Sequence, residues 1–97
     1  MDKISMAIIG CGDYVQRWES APIAQSNKIR VKSLFDLDRS KAEILSKKTG
    51  GEAVASVEDI FSDTEIGLVC IFVPPWVRKD LMLRAAEAGR HIITTKP

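Results

Sequence analysis

Apolar residues run almost unbroken from Ile4 to Ile9 and then give way to the small and polar Gly10-Cys-Gly-Asp13. A short apolar run without polar alternation predicts a strand covered on both faces, as in the middle of a parallel sheet. Asp13 to Ser20 follows as a helix; its leading acid suits the positive end of the helix dipole, and Pro22 ends it. Ile29 to Phe35 is a second strand, with Ile29 and Val31 alternating before Leu34-Phe35. Asp38 caps the next helix, in which Ala42 and Leu45 share a face, and Gly50-Gly51 stops it. Glu52–Ala55 is a weak third strand. Ser56-Val-Glu-Asp59 has the form of a capping box with Asp in place of Glu, opening a short helix through Phe61. Leu68 to Val73 reads as another buried strand, broken by Pro74-Pro75. Val77, Leu81, Ala85 and Ala88 then mark one helical face, Gly89 ends that helix, and His91 to Thr95 is the last strand.

This alternation of strand and helix carries no internal repeat and no low-complexity tract, which argues against a solenoid. With right-handed crossovers it predicts an α/β, doubly wound parallel sheet of Rossmann-like form and strand order 3-2-1-4-5. Ligands of such sheets bind beyond the carboxyl ends of the strands, near the switch point. The glycine turn, Asp36, Pro74-Pro75 and Lys96 all fall at carboxyl ends. The complete fold usually has about six strands, whereas the 97 residues here hold five. Residues 1–97 therefore read as one N-terminal domain, incomplete at its carboxyl end, of a longer protein.

Composition narrows the function classes. Apolar residues at 45% and charged residues at 28% describe an ordinary globular chain rather than a disordered one. A net charge of +1 gives no electrostatic argument for nucleic acid or an acidic membrane surface. No apolar run is long enough for a membrane span, and the N-terminus lacks a signal-peptide core, so a cytoplasmic location is expected. Cys11 and Cys70 are too few for a disulfide framework and lie outside any metal-ligand spacing. They read as inert, buried thiols in a reducing compartment, with no metal site.

Candidate chemistry begins at the glycines. Gly10 permits a tight turn, and Gly12 lets the backbone approach a pyrophosphate with no Cβ in the way. Asp36 closes the second strand 21 positions after Val15, the third position of the glycine fingerprint. That is close to the usual spacing of about 20 for an acid that binds the adenosine ribose. Asp36 has alternative readings as a helix cap or a solvated turn residue, and Asp38 competes for the cap. An acid there repels a 2′-phosphate and favours NAD, while Arg39 nearby keeps NADP open. Val15 is off-pattern, because Gly or Ala is expected where helix and strand pack closely. His91 reads as structural. Trp18 and Trp76 read as packing residues, with a place at the edge of a cofactor cleft as the alternative for Trp76.

Blocks along the whole chain resemble the N-terminal domain of the glucose–fructose oxidoreductase / inositol dehydrogenase family, written Gfo/Idh/MocA. They are Ala7-Ile-Ile-Gly-Cys-Gly-Asp13, Ser33-Leu-Phe-Asp-Leu-Asp-Arg39, Val57-Glu-Asp-Ile-Phe61, Ile71-Phe-Val-Pro-Pro75, Ala85-Ala-Glu-Ala-Gly-Arg-His-Ile92 and Thr95-Lys-Pro97. The resemblance implies a nicotinamide-dependent oxidoreductase moving a hydride between cofactor and a secondary alcohol of a sugar or polyol. It implies that Gly10, Gly12, Asp13, Tyr14 and Val15 hold the pyrophosphate and Asp36 the adenosine ribose. Val73, Pro74, Pro75 and Thr95 would lie against the nicotinamide ribose, and Lys96 would be the catalytic residue on the substrate hydroxyl. A further catalytic group, most of the substrate pocket and the usual oligomer interface would belong to a C-terminal domain that is absent here. The fragment alone is therefore expected to be inactive. Thr95 stands where the family usually has Glu, Pro75 where it has Asn, and Arg78 where a His often follows. A non-catalytic nucleotide-binding module or a scaffold is the rival expectation.

Overall fold

A computed structural model of the chain describes residues 4–12 and 28–94. In chain order these form β1 (Ile4–Ile9), β2 (Ile29–Phe35), α1 (Arg39–Thr49), β3 (Glu52–Ala53), α2 (Val57–Phe61), β4 (Ile66–Ile71), α3 (Pro75–Glu87) and β5 (His91–Thr94). The expected helix over 13–20, together with Trp18, lies outside the described residues. All strand pairs are parallel, and the sheet order is β3-β2-β1-β4-β5. That is the order the sequence predicts.

β1 is central, and its side chains bury on both faces. Met6 and Ile8 pack with Val31, Leu34 and Cys70 of the neighbouring strands and with Ala42 and Leu45 of α1. Ala7 and Ile9 pack on the opposite face with Val69, Ile71 and Ile60 of α2, flanked by Leu81 and Met82 of α3. The apolar run of β1 is thus a consequence of cover on both sides, not of one amphipathic face.

Two irregularities adjust the ladders around β1. Met6 pairs with Val31 and Ala7 with Ser33, so Lys32 is an extra residue in β2. This bulge carries Val31 and Leu34 into the same cluster despite their spacing. Lys32 binds Asp63 and Glu65, each at 2.7 Å, beside the start of β4. On the other flank Ser5 pairs with Ile66 and Met6 with Leu68, leaving Gly67 as the extra residue.

Helix ends follow local chemistry. Asp38 caps α1 by accepting from the Ser40 N–H at 3.1 Å, and Gly50 closes the helix at φ 83°. Gly89, at φ 74°, follows the Ala88 cap of α3 as expected. Pro75 opens α3 at the position where a missing N–H leaves no bond unmade.

Several boundaries differ from expectation. β4 begins at Ile66 and ends at Ile71, because Phe72 leaves the ladder after its N–H donates to the Ile9 carbonyl at 2.8 Å. β3 pairs over only two residues. The capping box at Ser56 does not form: Ser56 makes no side-chain cap hydrogen bond. Its backbone carbonyl, rather than its hydroxyl, receives the Asp59 N–H at 3.2 Å. On α3, Ala85 is fully buried, but Val77 is exposed because it stands at the mouth of a cleft.

Candidate functional site

β1 runs into its turn between two neighbours that fix it. The Gly10 N–H donates to the Phe35 carbonyl of β2 at 2.8 Å, while the Ile9 carbonyl receives Phe72 from the β4 side. Gly10 has φ 96°, and a Cβ there would stand 2.4 Å from the Phe72 carbonyl oxygen. Both the conformation and the close strand approach therefore require glycine. Gly12 differs: a Cβ there would meet nothing within 4 Å. Its missing side chain leaves space on the cleft side of the turn, which fits a pyrophosphate cradle. Cys11, between them, is fully buried. Burial, and secondarily the Asp36 charge, push its thiol up to about 12, so it is not an activated nucleophile.

Asp36 connects this turn to the second strand. Its Oδ2 accepts the Cys11 N–H at 2.7 Å, and its Oδ1 accepts the Asp38 N–H at 2.8 Å. A carboxylate offers about four lone-pair sites, so roughly two remain for ligand hydroxyls. Asp38 takes the helix cap, receiving both the N–H and the hydroxyl of Ser40. The Ser40 hydroxyl leads the effects that hold the Asp38 carboxyl below its ordinary value. The two acids thus divide the roles that compete for Asp36 in the sequence: Asp38 caps, and Asp36 braces the glycine turn. Arg39 donates to Glu43 at 3.2 Å and to the Ala53 carbonyl at 3.3 Å.

These residues border a cleft of about 660 Å³ at the carboxyl ends of the strands. Gly10, Gly12, Asp36, Val73 and Pro74 all line it, so the structure brings together the predicted positions it describes. Pro75 is the first residue of α3. Asp13, Tyr14, Val15, Thr95 and Lys96 lie outside the described residues. Thr94, just before them, donates its hydroxyl to the Ile71 carbonyl at 2.9 Å and fixes the end of β5 beside β4. Among the described residues the charged members of the lining are both acidic, Asp36 and Asp80.

The sequence reading missed part of this wall. Leu37, Ser56, Val57 and Asp80 line the cleft; Trp76, 82% exposed, also lines it, which matches the alternative expectation for it rather than core packing. Leu37 had a legible signal, an apolar side chain isolated between two acids in a turn. Trp76 and Asp80 had a weaker one, four residues apart on a helix beginning at the carboxyl end of a strand. Arg78 lines a separate cavity of about 480 Å³ on another flank of α3, with Met82, Leu83 and Ile92. His91 is exposed at the opposite, amino end of β5. No helix among the described residues is long and apolar enough to cross a membrane.

Residues 4–97 match the model of an oxidoreductase family with an NAD-binding Rossmann fold. The chain belongs to the Gfo/Idh/MocA family. An uncharacterized oxidoreductase of Rhizobium meliloti is 28% identical over 98 residues, covering 100% of this chain and 29% of the relative. Inositol 2-dehydrogenase of Renibacterium salmoninarum is 26% identical over 98 residues, covering 97% of this chain and 28% of the relative. Among solved structures, the WlbA dehydrogenase from Chromobacterium violaceum, in complex with NADH and UDP-GlcNAcA, superposes with a TM-score of 0.88 at 25% identity. That match covers 100% of this chain and 28% of the dehydrogenase. GenD2 from gentamicin A biosynthesis, in complex with NAD, has a TM-score of 0.89 at 16% identity over 100% of this chain and 28% of its own, a likeness of fold. The chain thus spans under a third of the length of these relatives.

Proposed function

We propose that this chain is the N-terminal dinucleotide-binding domain of a longer cytoplasmic oxidoreductase that acts on a secondary alcohol of a sugar or polyol. The observation that carries the proposal is the bond from Asp36 to the Cys11 N–H, which ties the ribose-binding acid to a turn whose Gly12 faces open space. In the relatives, the names refer to inositol and to a sugar nucleotide. Their length supports a substrate domain beyond the 97 residues. The buried thiols of Cys11 and Cys70 suit a reducing compartment.

In this reading Gly10 and Gly12, with Asp13, Tyr14 and Val15, hold the pyrophosphate, and Asp36 accepts from the adenosine ribose hydroxyls. Val73, Pro74, Pro75 and Thr95 border the nicotinamide ribose. Lys96 positions the substrate hydroxyl and eases loss of its proton. The bound nicotinamide supplies the hydride acceptor or donor. NAD is preferred over NADP, because the described cleft wall carries acids and Arg39 is already engaged by Glu43 and the Ala53 carbonyl. The 97-residue chain binds cofactor without turnover, since the remaining substrate groups come from elsewhere in the whole protein.

Titration of NAD into the chain by calorimetry tests the reading. Saturable binding is expected, weakened on the order of tenfold by Asp36→Ala as a charged hydrogen bond is lost. Absence of NAD binding by a folded chain refutes it. A non-catalytic nucleotide-binding module is the second reading, favoured by Thr95 in place of the family's usual Glu. Assay of the whole protein against a panel of polyols and sugars separates the two, because only an enzyme forms NADH in a substrate-dependent way.

A further inference from the structure

Among the described residues the sheet ends at β3 on one side and at β5 on the other. The outer edge of a last strand presents backbone N–H and C=O groups that can pair with another chain. Such edges are commonly blunted by shortness, lysine, proline or a bulge. β3 is only two residues long, one of them Glu52. β5 has none of these devices: it reads His91-Ile-Ile-Thr94, and its register with β4 is unbroken. The flank of α3 beside it is apolar too. Leu83 is 54% exposed and, with Met82, Ala86, Ile92 and Lys79, lines the groove of about 480 Å³. Ile93, on the other face of β5, is 38% exposed.

The charges on this flank say what fits it. Lys79, Leu83 and Glu87 follow one another at a spacing of four, so a cation, an apolar residue and an acid form one stripe along α3. That order is complementary to itself. When a second α3 lies antiparallel with the two Leu83 side chains in contact, each Lys79 faces Glu87 of the partner subunit. Ala86 beside them is small and lets the helices approach. One two-fold axis perpendicular to the sheet gives this arrangement, and the same axis sets β5 antiparallel to its counterpart, edge to edge. Ile92 and Leu83 line the same groove, so strand and helix meet the axis at one level. We propose that two copies of the chain pair through β5 and the Lys79-Leu83-Glu87 stripe of α3. None of the residues lining this groove lines the cleft below Gly10 and Asp36, so the inference is independent of the cofactor reading.

Sedimentation equilibrium of the 97-residue chain across the micromolar range tests the pairing, and a dimer is expected. Leu83→Glu sets two like charges on the axis and should leave a monomer. Lys79→Glu alone, or Glu87→Lys alone, brings like charges together twice and should weaken self-association about tenfold or more. Mixing those two single variants restores an opposite pair at both contacts, so the mixture should dimerise although neither component does. All three positions are exposed, and circular dichroism melts check that each variant is folded. Amide exchange in β5 should slow as the parent is concentrated through its dimerisation range, because edge N–H groups then gain partners. A parent chain that stays monomeric overturns the proposal and leaves this edge to another occupant, such as a further segment of a longer protein. A dimer that survives Leu83→Glu, or a mixture of the charge variants that associates no better than its components, overturns it as well.

Discussion

Gly10 and Gly12 are two residues apart in one turn, yet physical chemistry assigns them opposite sensitivities. An alanine at Gly10 must adopt φ 96° and bring its Cβ to 2.4 Å from the Phe72 carbonyl oxygen. Overpacking costs about 1–3 kcal/mol and the left-handed conformation about 1–2. Gly10→Ala should therefore lose about 2–5 kcal/mol in urea unfolding, with cofactor binding lost as a consequence. Gly12→Ala meets no neighbour within 4 Å, so its stability should stay within about 0.5 kcal/mol of the parent. Its methyl group enters the open space proposed for the pyrophosphate, and NAD affinity should fall. A Gly12→Ala chain that unfolds early, or that binds NAD normally, contradicts the division of labour. Asp36 adds the other residue-scale lesson. Its spacing from the glycines identifies it in the sequence, but only the fold shows that the same carboxylate braces the turn and leaves lone pairs for a ligand.

At the scale of elements, the junction from α1 to β3 repeats the contrast. Gly50 is left-handed at φ 83° with open space around its missing Cβ, whereas a Cβ at Gly51 would sit 2.8 Å from Val31 Cγ1 and 3.1 Å from the Val31 carbonyl oxygen. Gly50→Ala should cost about 1–2 kcal/mol, a conformational penalty alone. Gly51→Ala should cost about 1–3 kcal/mol by overpacking, and it should also disturb β2, since the obstacle includes backbone. Thermal melts give the two stabilities, and amide exchange at Val31 and Leu34 tells them apart: faster exchange belongs to the Gly51 variant. β1 and the sheet order were legible because burial on both faces and strand–helix alternation are written in hydrophobicity. The bulge at Lys32 was not legible. Its signal is a Lys in a mostly apolar strand, and what makes it an extra residue is pairing with β1 and ion pairs to Asp63 and Glu65. Ser56 misled for a related reason: a five-residue helix satisfies its first turn through the Ser56 carbonyl. Trp76 left packing and the cleft edge open, because sequence patterning treats a large aromatic as core, and the fold decides for the cleft.

For the molecule as a whole, the buried thiols and the Lys32 cluster make stability depend on pH at its two extremes. Cys11 and Cys70 both belong to the core cluster on the Met6 and Ile8 face. Burial pushes each thiol up from 9.0 to about 12, with the Asp36 charge a second cause at Cys11. Above pH 9 the unfolded chain releases these protons while the folded chain retains them. The unfolded state then binds fewer protons, so stability falls with rising pH between about 9 and 12. Asp63 acts at the other end of the scale. Its bond to Lys32 holds its carboxyl below the ordinary 3.8, so its contribution is present above that value and is lost as pH falls through the lowered one. Urea midpoints should therefore decline on both flanks, and the alkaline decline should be shallower in the Cys11→Ala, Cys70→Ala double variant, whatever that variant loses in neutral stability. The comparison of slopes removes whatever the two chains share. The native parent should also resist thiol-directed reagents at pH 8 and react with both cysteines once unfolded. An alkaline slope unaltered by removing both thiols would mean that their burial does not couple to folding, and rapid labelling of the native chain would mean that the Cys11 turn opens far more readily than its bonds to Phe35 and Asp36 allow.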